Sequence, residues 1–513
     1  MIGAEALVRT LLASGVEACF ANPGTSEMHF VAALDRAPGL RCVLGLAETV
    51  VTGCADGYGR MAGKPAATLL HCGPGLANGL ANLHNARRAN APIVNIVGDQ
   101  ATYHRPYDAP LTADTDGLAR TVSHWVRTST SVADVAGDAA AAVQAARTAP
   151  GQIATLVLPA DTAWSEGGTP APALPVPARP QVAPDTVRAV AIALRRGQPA
   201  MLLLSGTALS EAGLRAAHRI AHVTGAQLRT PTQVPRMARG RGRVPVDRIP
   251  YVVDLALEVL SGVKQLVLVA AKPPVGFFAY PGKPSTLWPK DCSVDVLARP
   301  EEDALAALEA LADELGAPRE LALPALAPPA GGAQGAFEPL AFAHAFAGLI
   351  PENAIVVEDA VTSGRALFAP TFAAAPNDWL QNTGGAIGIG LPAATGAALA
   401  CPDRKVVCLQ ADGAGMYTLQ ALWTQAREAL DVITVLFANR VYRILQGELA
   451  AVGAKRGPAA DRLFDLAPPA LDWVQLAGGM GVEAVRVETL EAFADVFRAA
   501  ASRRGPFLIE FRI

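Results

Sequence analysis

The chain has 513 residues, 51% hydrophobic and 17% charged, with a formal net charge of −3 at pH 7. Length predicts on the order of two to four domains, and a charged share below the usual ~25% predicts a well-buried, oligomeric globular protein rather than a disordered one. The charge balance gives no case for nucleic acid or an anionic membrane surface, and no apolar run is long enough to span a bilayer. Seven cysteines, an odd number with no C-x-x-C pair, predict a reduced cytoplasmic setting. Glu5 and Arg9 break the first apolar stretch, unlike a signal peptide.

In chain order, residues 17–21 read as a strand running into Asn22-Pro23-Gly24-Thr25-Ser26-Glu27. Pro23 and Gly24 make a turn, and Thr25 or Ser26 can cap the helix that follows; the same loop can also line a pocket. Glu48 lies inside an apolar segment, where an unpaired carboxylate costs stability. A helix-start glutamate with a backbone partner and a catalytic one both fit. Residues 66–71 form the next strand-like run, ending in His71-Cys72-Gly73-Pro74-Gly75 and, three residues on, Asn78. Glycines there allow close approach of backbone to a ligand. A histidine at a strand end can transfer protons at neutral pH or be held in the core by backbone.

Residues 166–184 and 317–338 are rich in Pro and Ala and can hold neither a regular helix nor a central strand. They divide the chain into blocks at 1–165, 185–316 and 339–513. Each block alternates short apolar runs with helical patterns, as at 66–71 and 93–98, 200–204 and 265–269, and 354–358 and 406–409. That is the pattern of parallel α/β sheets. In the middle block, Phe277, Phe278 and Tyr280 either line an entrance or pack in a loop. The basic, Gly-rich run Arg236–Arg243 is expected to be a solvated loop.

The third block opens on Glu358-Asp359, with Thr362 and Ser363 placed to cap a helix or to hydrogen-bond phosphate oxygens. The glycine-rich run at 382–393 superficially matches a dinucleotide loop, but Pro392 and the lack of a preceding apolar strand argue against that. An NAD(P) oxidoreductase on stacked α/β domains stays open as an alternative, but it requires an acidic residue ending a second strand after a proper glycine fingerprint, and the sequence places none. Residues 405–410 read as a strand ending in Ala411-Asp412-Gly413-Ala414-Gly415, a helix is expected over 416–429, and residues 432–438 form a second strand ending in Asn439. Asp412 and Asn439 thus both stand at the carboxyl ends of strands, where open parallel sheets bind ligands. A carboxylate, an amide oxygen and a helix N-terminus suit a hard cation bridging a diphosphate.

This spacing resembles the Gly-Asp-Gly through Asn-Asn signature of thiamine-diphosphate enzymes, with Ala411 and Ala438 in place of the first Gly and the first Asn. The resemblance covers essentially the whole chain, strongest at 20–80 and 380–450 and weakest at 185–330. It implies three doubly wound parallel α/β domains: pyrimidine-binding (1–165), middle (185–316) and diphosphate-binding (339–513). It implies thiamine diphosphate and Mg²⁺ as cofactors, the metal held by Asp412, Asn439 and the main-chain carbonyl of Val441. Thr362, Ser363, Gly413, Ala414 and Tyr442 would meet the diphosphate side, and Asn22, Pro23, Gly24 and Asn78 the ring side. The Gly385 carbonyl would bind the 4′-amino group, and Ile387 would enforce a bent cofactor that brings this nitrogen beside the reactive carbon. Glu48 would share a proton with the aminopyrimidine ring, driving the amino group to the imino tautomer that deprotonates the thiazolium carbon.

Thr25 matches a substrate-contacting serine of benzoylformate decarboxylase, and His71 an active-site histidine of that enzyme. Its second histidine has no counterpart here. Ile444 and Glu448 fall where that enzyme has Ala and Phe, so with Phe277 they imply a different substrate pocket. The implied reaction is decarboxylation of a 2-oxo acid with transfer of the acyl-anion equivalent to a second carbonyl acceptor, as in acetolactate synthases. His71 keeps open simple decarboxylation to an aldehyde. Ala411 and Ala438 keep open a paralogue that binds cofactor without turnover, which Glu48 opposes. FAD, bound by the middle domain of many acetolactate synthases, is possible but unsupported. The resemblance also implies a homodimer or homotetramer with active sites at the subunit interface.

Overall fold

The computed structural model describes residues 1–329 and 332–513; residues 330 and 331, within the second expected linker, lie outside the described residues. Aliphatic runs without polar alternation, such as Ala200–Leu204 and Val432–Ala438, are buried along their whole length. Parallel strands covered by helices on both faces require this.

The first sheet contains β1 (Ala18–Asn22), β2 (Arg41–Leu44), β3 (Ala66–His71), β4 (Ile93–Asp99), β5 (Trp125–Thr128) and β6 (Ile153–Pro159) in the order β2-β1-β3-β4-β6-β5. The middle block forms β7 (Ala200–Leu204), β8 (Gln227–Thr230), β9 (Met237–Arg239), β10 (Asp247–Arg248), β11 (Gln265–Val269) and β12 (Ser293–Ala298), with the sheet order β10-β8-β7-β11-β12. The third sheet holds β13 (Ile355–Asp359), β14 (Asn377–Gln381), β15 (Val406–Ala411), β16 (Val432–Ala438), β17 (Glu483–Val487) and β18 (Phe507–Arg512), in the order β17-β18-β16-β15-β13-β14-β9. The fold is thus α/β with three parallel-sheet domains. Among the described residues the one antiparallel pairing between named strands is β9 on β14, so a strand of the middle block finishes the third sheet.

That strand corrects the expectation for Arg236–Arg243, which is not a solvated loop. Arg239 is 1% exposed, with its guanidinium carbon 4.1 Å from the Phe368 and Phe372 ring centroids and 4.5 Å from that of Trp379. Burial pushes its pKa down to about 9. Arg236 pairs with Asp378 at 3.0 Å, and Arg243 donates to the Asn377 carbonyl. Carbonyls, a carboxylate and aromatic faces replace the water that a basic loop would need.

The helix expected over 416–429 also differs. A short helix spans Asp412–Gly415, a turn follows, and a second helix spans Ala421–Arg427. A Cβ at Gly415 would lie 2.7 Å from the Trp473 ring, and Thr418 Oγ1 donates to the Gly388 carbonyl at 2.6 Å. These tertiary contacts outweigh the helical pattern of the sequence.

The first and third domains meet through two helices, Glu48–Ala62 and Gly390–Ala400. Their backbones touch: a Cβ at Gly57 would lie 2.1 Å from the Ala393 carbonyl oxygen, and one at Gly396 1.9 Å from that of Cys54. Only glycine permits this approach. Gly57→Ala should therefore lower the thermal unfolding midpoint by several degrees, from about 1–3 kcal/mol of overpacking. Gly137→Ala, in a helix with open space around it, should not, and equal midpoints for the two variants would contradict the packing account.

Candidate active site

At the carboxyl end of the first sheet, β1, the start of the Glu48–Ala62 helix, β3 and β4 converge. Asn22 at the end of β1 donates from Nδ2 to the Gly45 carbonyl at 2.8 Å, fixing the loop after β2. Glu48 is the first residue of its helix and accepts from Asn78 Nδ2 at 3.1 Å. A Cβ at Gly75 would be 3.3 Å from Glu48 Oε1, so the glycine in the first turn of the Cys72–Ala89 helix leaves the carboxylate room. Gly24 lies against the His71 ring, where a Cβ would come within 2.4 Å.

His71 ends β3 and is bonded through Nδ1 to Glu27 Oε2 at 2.9 Å and to Ser26 Oγ at 3.1 Å. Ser26 donates to Glu27 Oε1 at 2.5 Å and lies 3.2 Å from Cys72 Sγ. Gly24 N donates to Glu27 Oε2 at 2.6 Å, and Glu27 is 1% exposed. A carboxylate accepting from Nδ1 places the proton there and leaves Nε2 as the free ring nitrogen. Thr25, the expected substrate contact, is exposed and makes no side-chain hydrogen bond among the described residues. It is the neighbouring Ser26 whose hydroxyl meets His71, because the helical turn over Thr25–Glu27 points adjacent side chains in different directions. The ligand atoms of Glu27, His71 and Cys72 lie within 4.8 Å of one another. The Ser26 hydroxyl bonds all three and fills the space a metal would need, so this cluster is a hydrogen-bond hub.

At the carboxyl end of the third sheet, β15 and β16 are parallel neighbours with Ala411 opposite Phe437. This register puts Asp412 and Asn439 on one edge. Asp412 Oδ1 accepts from Gly413 N at 2.8 Å and Oδ2 from Arg440 N at 2.6 Å. Burial raises its carboxyl above the usual range despite those bonds. Asn439 Oδ1 accepts from Val441 N at 3.0 Å. Gly413 has a second constraint, since a Cβ there would lie 2.5 Å from the Tyr442 ring. Thr362 and Ser363 lie on the turn after β13, the strand beside β15.

The Asn382–Gly390 loop is held from two sides. Asp359 accepts from Gly388 N at 2.8 Å and from Gln410 Nε2 at 3.0 Å. Asn85 of the first domain donates to the Ala386 carbonyl at 2.8 Å and accepts from Ala386 N at 3.2 Å. Gly385 has φ +82° and donates to Asn382 Oδ1. Phe277 packs on it, with a Cβ at Gly385 only 2.7 Å from the ring. Ile387, two residues on, is half-buried. Ile444 and Glu448 line a cavity of about 590 Å³ together with Thr362, Tyr251 and Tyr280. Phe277 stands beside it, 5.3 Å from the Tyr251 ring centroid. The lining contains no first-domain residue.

Two strand-end clusters, one with an acid beside a histidine and the other with hard oxygen donors, thus stand at the carboxyl ends of two separate sheets. Residues 1–121 match the thiamine pyrophosphate enzyme N-terminal TPP binding domain, and residues 364–511 the C-terminal TPP binding domain. The Mycobacterium tuberculosis protein "Putative acetolactate synthase large subunit IlvX" is 52% identical, over 99% of this chain and 98% of its own length. A benzoylformate decarboxylase of Pseudomonas aeruginosa is 28% identical over 97% of this chain and 96% of its own. The solved Rhodococcus jostii RHA1 thiamine diphosphate-dependent 4-hydroxybenzoylformate decarboxylase shares the fold, with a TM-score of 0.86 at 24% identity, over 100% and 99% of the two chains. The chain belongs to the thiamine pyrophosphate enzyme family.

Ser26, Glu27, Asp359, Asn85, Tyr251 and Tyr280 join these clusters without having been singled out as site residues from sequence. Ser26 and Glu27 carried a signal, since they follow Thr25 in the same loop, and so did Tyr280, which could line an entrance or pack in a loop. Burial raises the Cys72 thiol to about 11, so at pH 8 it stays protonated and serves as a neighbour, not a nucleophile. Native protein treated with iodoacetamide at pH 8 should leave Cys72 unmodified by peptide mass spectrometry, and unfolded protein should not. Rapid native labelling of Cys72 would contradict this.

Proposed function

We propose that the chain is a thiamine-diphosphate- and Mg²⁺-dependent enzyme that decarboxylates a 2-oxo acid and passes the acyl-anion equivalent to a second carbonyl, in the manner of acetolactate synthases. The observation that carries this reading is the donor set on the β15–β16 edge, with the Asp412 carboxylate beside the Asn439 amide. With the Val441 carbonyl these are the hard oxygens Mg²⁺ takes, and a divalent ion would offset the burial that raises Asp412. Thr362, Ser363, Gly413, Ala414 and Tyr442 would surround the diphosphate. Asn22, Pro23, Gly24, Asn78, Gly385 and Ile387 would meet the rings. On this reading the domains are 1–165, 185–316 and 339–513.

Bound thiamine diphosphate supplies a nucleophilic carbon and an electron sink for loss of carbon dioxide. Glu48, oriented by Asn78, holds and releases a proton at the base ring. His71, fixed through Nδ1 by Glu27 and Ser26, offers Nε2 for a proton at the substrate, with Thr25 retained as a substrate contact. The cavity beside Ile444 and Glu448 is lined only by the second and third domains, so we assign its missing wall to the first domain of a neighbouring subunit. A homodimer is then the smallest working unit. The His71 hub favours a second reading, simple decarboxylation, because it is built to deliver protons.

Carbon dioxide release from a panel of 2-oxo acids, with product analysis, separates the readings. A carboligated product supports the first and an aldehyde the second. Cofactor binding without any release would leave a silent paralogue. Glu48→Gln should lower turnover at least about 100-fold with diphosphate affinity largely kept, and wild-type rates would discard its role. For Asp412 the sign follows from its raised carboxyl: a proton competes with the cation at a higher pH than for an ordinary aspartate. Thermal stabilisation by Mg²⁺ and thiamine diphosphate, about 2.7 kcal/mol at a hundred times Kd, should therefore fade on acidification before the usual carboxylate range is reached. It should be lost in Asp412→Asn, and equal stabilisation of that variant would contradict the metal assignment.

A further inference from the structure

The 590 Å³ cavity between the second and third domains has a largely apolar wall that also carries charged side chains, with Glu448 at the position where the benzoylformate-type resemblance implies Phe. Each oxygen of Glu448 accepts one tyrosine hydroxyl, Tyr251 at 3.0 Å and Tyr280 at 2.7 Å. Burial first, and hydrogen bonding within the cluster after it, raises both phenols, so both remain donors. Lys283 at the rim is spent on Asp254. Arg365 and Arg443 also line the cavity, and among the described residues neither has a carboxylate within 4.0 Å. The Arg365 guanidinium carbon lies 5.2 Å from the Tyr251 ring centroid.

By charge, the wall holds two solvent-exposed guanidinium groups, neither with a carboxylate partner among the described residues, and one carboxylate whose oxygens are both engaged. An aryl side chain filling this space would cover part of both exposed guanidiniums and pair with neither. A cationic side chain would face two like charges. An anionic group satisfies both, since a guanidinium binds a carboxylate through paired N–H donors.

We propose that the donor 2-oxo acid carries a second carboxylate at the far end of its side chain, bound by Arg365 and Arg443. The Tyr251–Glu448–Tyr280 clamp ties the Arg443–Ala451 helix to the middle domain, with Arg443 at the cavity wall. This rests on the proposed function in taking the cavity as the donor-side pocket.

The test compares 2-oxoglutarate, neutral 2-oxobutyrate, aryl benzoylformate and a guanidino 2-oxo acid on the holoenzyme with thiamine diphosphate and Mg²⁺. Carbon dioxide release is read in parallel with calorimetric binding. The expected result is the highest kcat/KM for 2-oxoglutarate. Arg443→Leu and Arg365→Leu should each lower the ratio of dicarboxylic to neutral kcat/KM by at least about ten-fold, mainly through KM, with partial recovery in Arg443→Lys. Preference for the aryl or guanidino acid overturns the proposal, as does an equal fall for both acids in the Leu variants. If no acid is decarboxylated, the proposed function fails, and calorimetry still decides the pocket: 2-oxoglutarate binding that weakens in both Leu variants supports it, and no binding to wild type overturns it.

Discussion

Two helices crossing backbone to backbone hold this molecule's chemistry in place. At the contact of Glu48–Ala62 with Gly390–Ala400, missing side chains at Gly57 and Gly396 let main chains approach to distances no Cβ allows. The first helix begins at Glu48 and the second emerges from the loop carrying Gly385 and Ile387. One glycine-mediated contact therefore sets both the acid of the first domain and the loop of the third. Asn85 completes the join by bonding both polar groups of the Ala386 backbone. A substitution far from any ligand can thus disturb the site through these helices.

The other determinant is strand register. With Ala411 opposite Phe437, the residues that end β15 and β16 emerge side by side, and both are oxygen donors. Burial raises the Asp412 carboxyl while two backbone N–H groups favour its ionised form. The first domain solves a different problem, positioning an imidazole, and does so with a buried glutamate and a serine hydroxyl that bond the same ring nitrogen.

Much of this was legible from sequence, for identifiable reasons. Apolar runs bounded by glycine and proline marked the parallel strands, and chemistry placed at strand ends follows from how open sheets bind ligands, so His71, Asp412 and Asn439 stood out, while Glu48 stood out as a carboxyl inside an apolar segment. What escaped depends on contacts between distant residues. Nothing local says that Arg239 will sit among Phe368, Phe372 and Trp379, which turned an expected solvated loop into a buried strand. The break after Gly415 comes from Trp473 and Gly388, not from a local breaker. Thr25 and Ser26 are equivalent on paper, and only the turn geometry shows which hydroxyl meets His71. Glu448 was visible as a pocket position, but its two tyrosine partners lie 168 and 197 residues away.

The central claim is that the acid of one domain and the oxygen donors of another serve a single catalytic centre shared between subunits. Co-assembly tests it most directly: inactive Glu48→Gln and inactive Asp412→Asn proteins are dissociated, mixed and reassembled, and carbon dioxide release from a 2-oxo acid is measured. The account predicts that mixed oligomers regain activity absent from either parent, because one interface of each hybrid receives an intact acid and an intact metal edge. Mixed oligomers that form but stay inactive would contradict it.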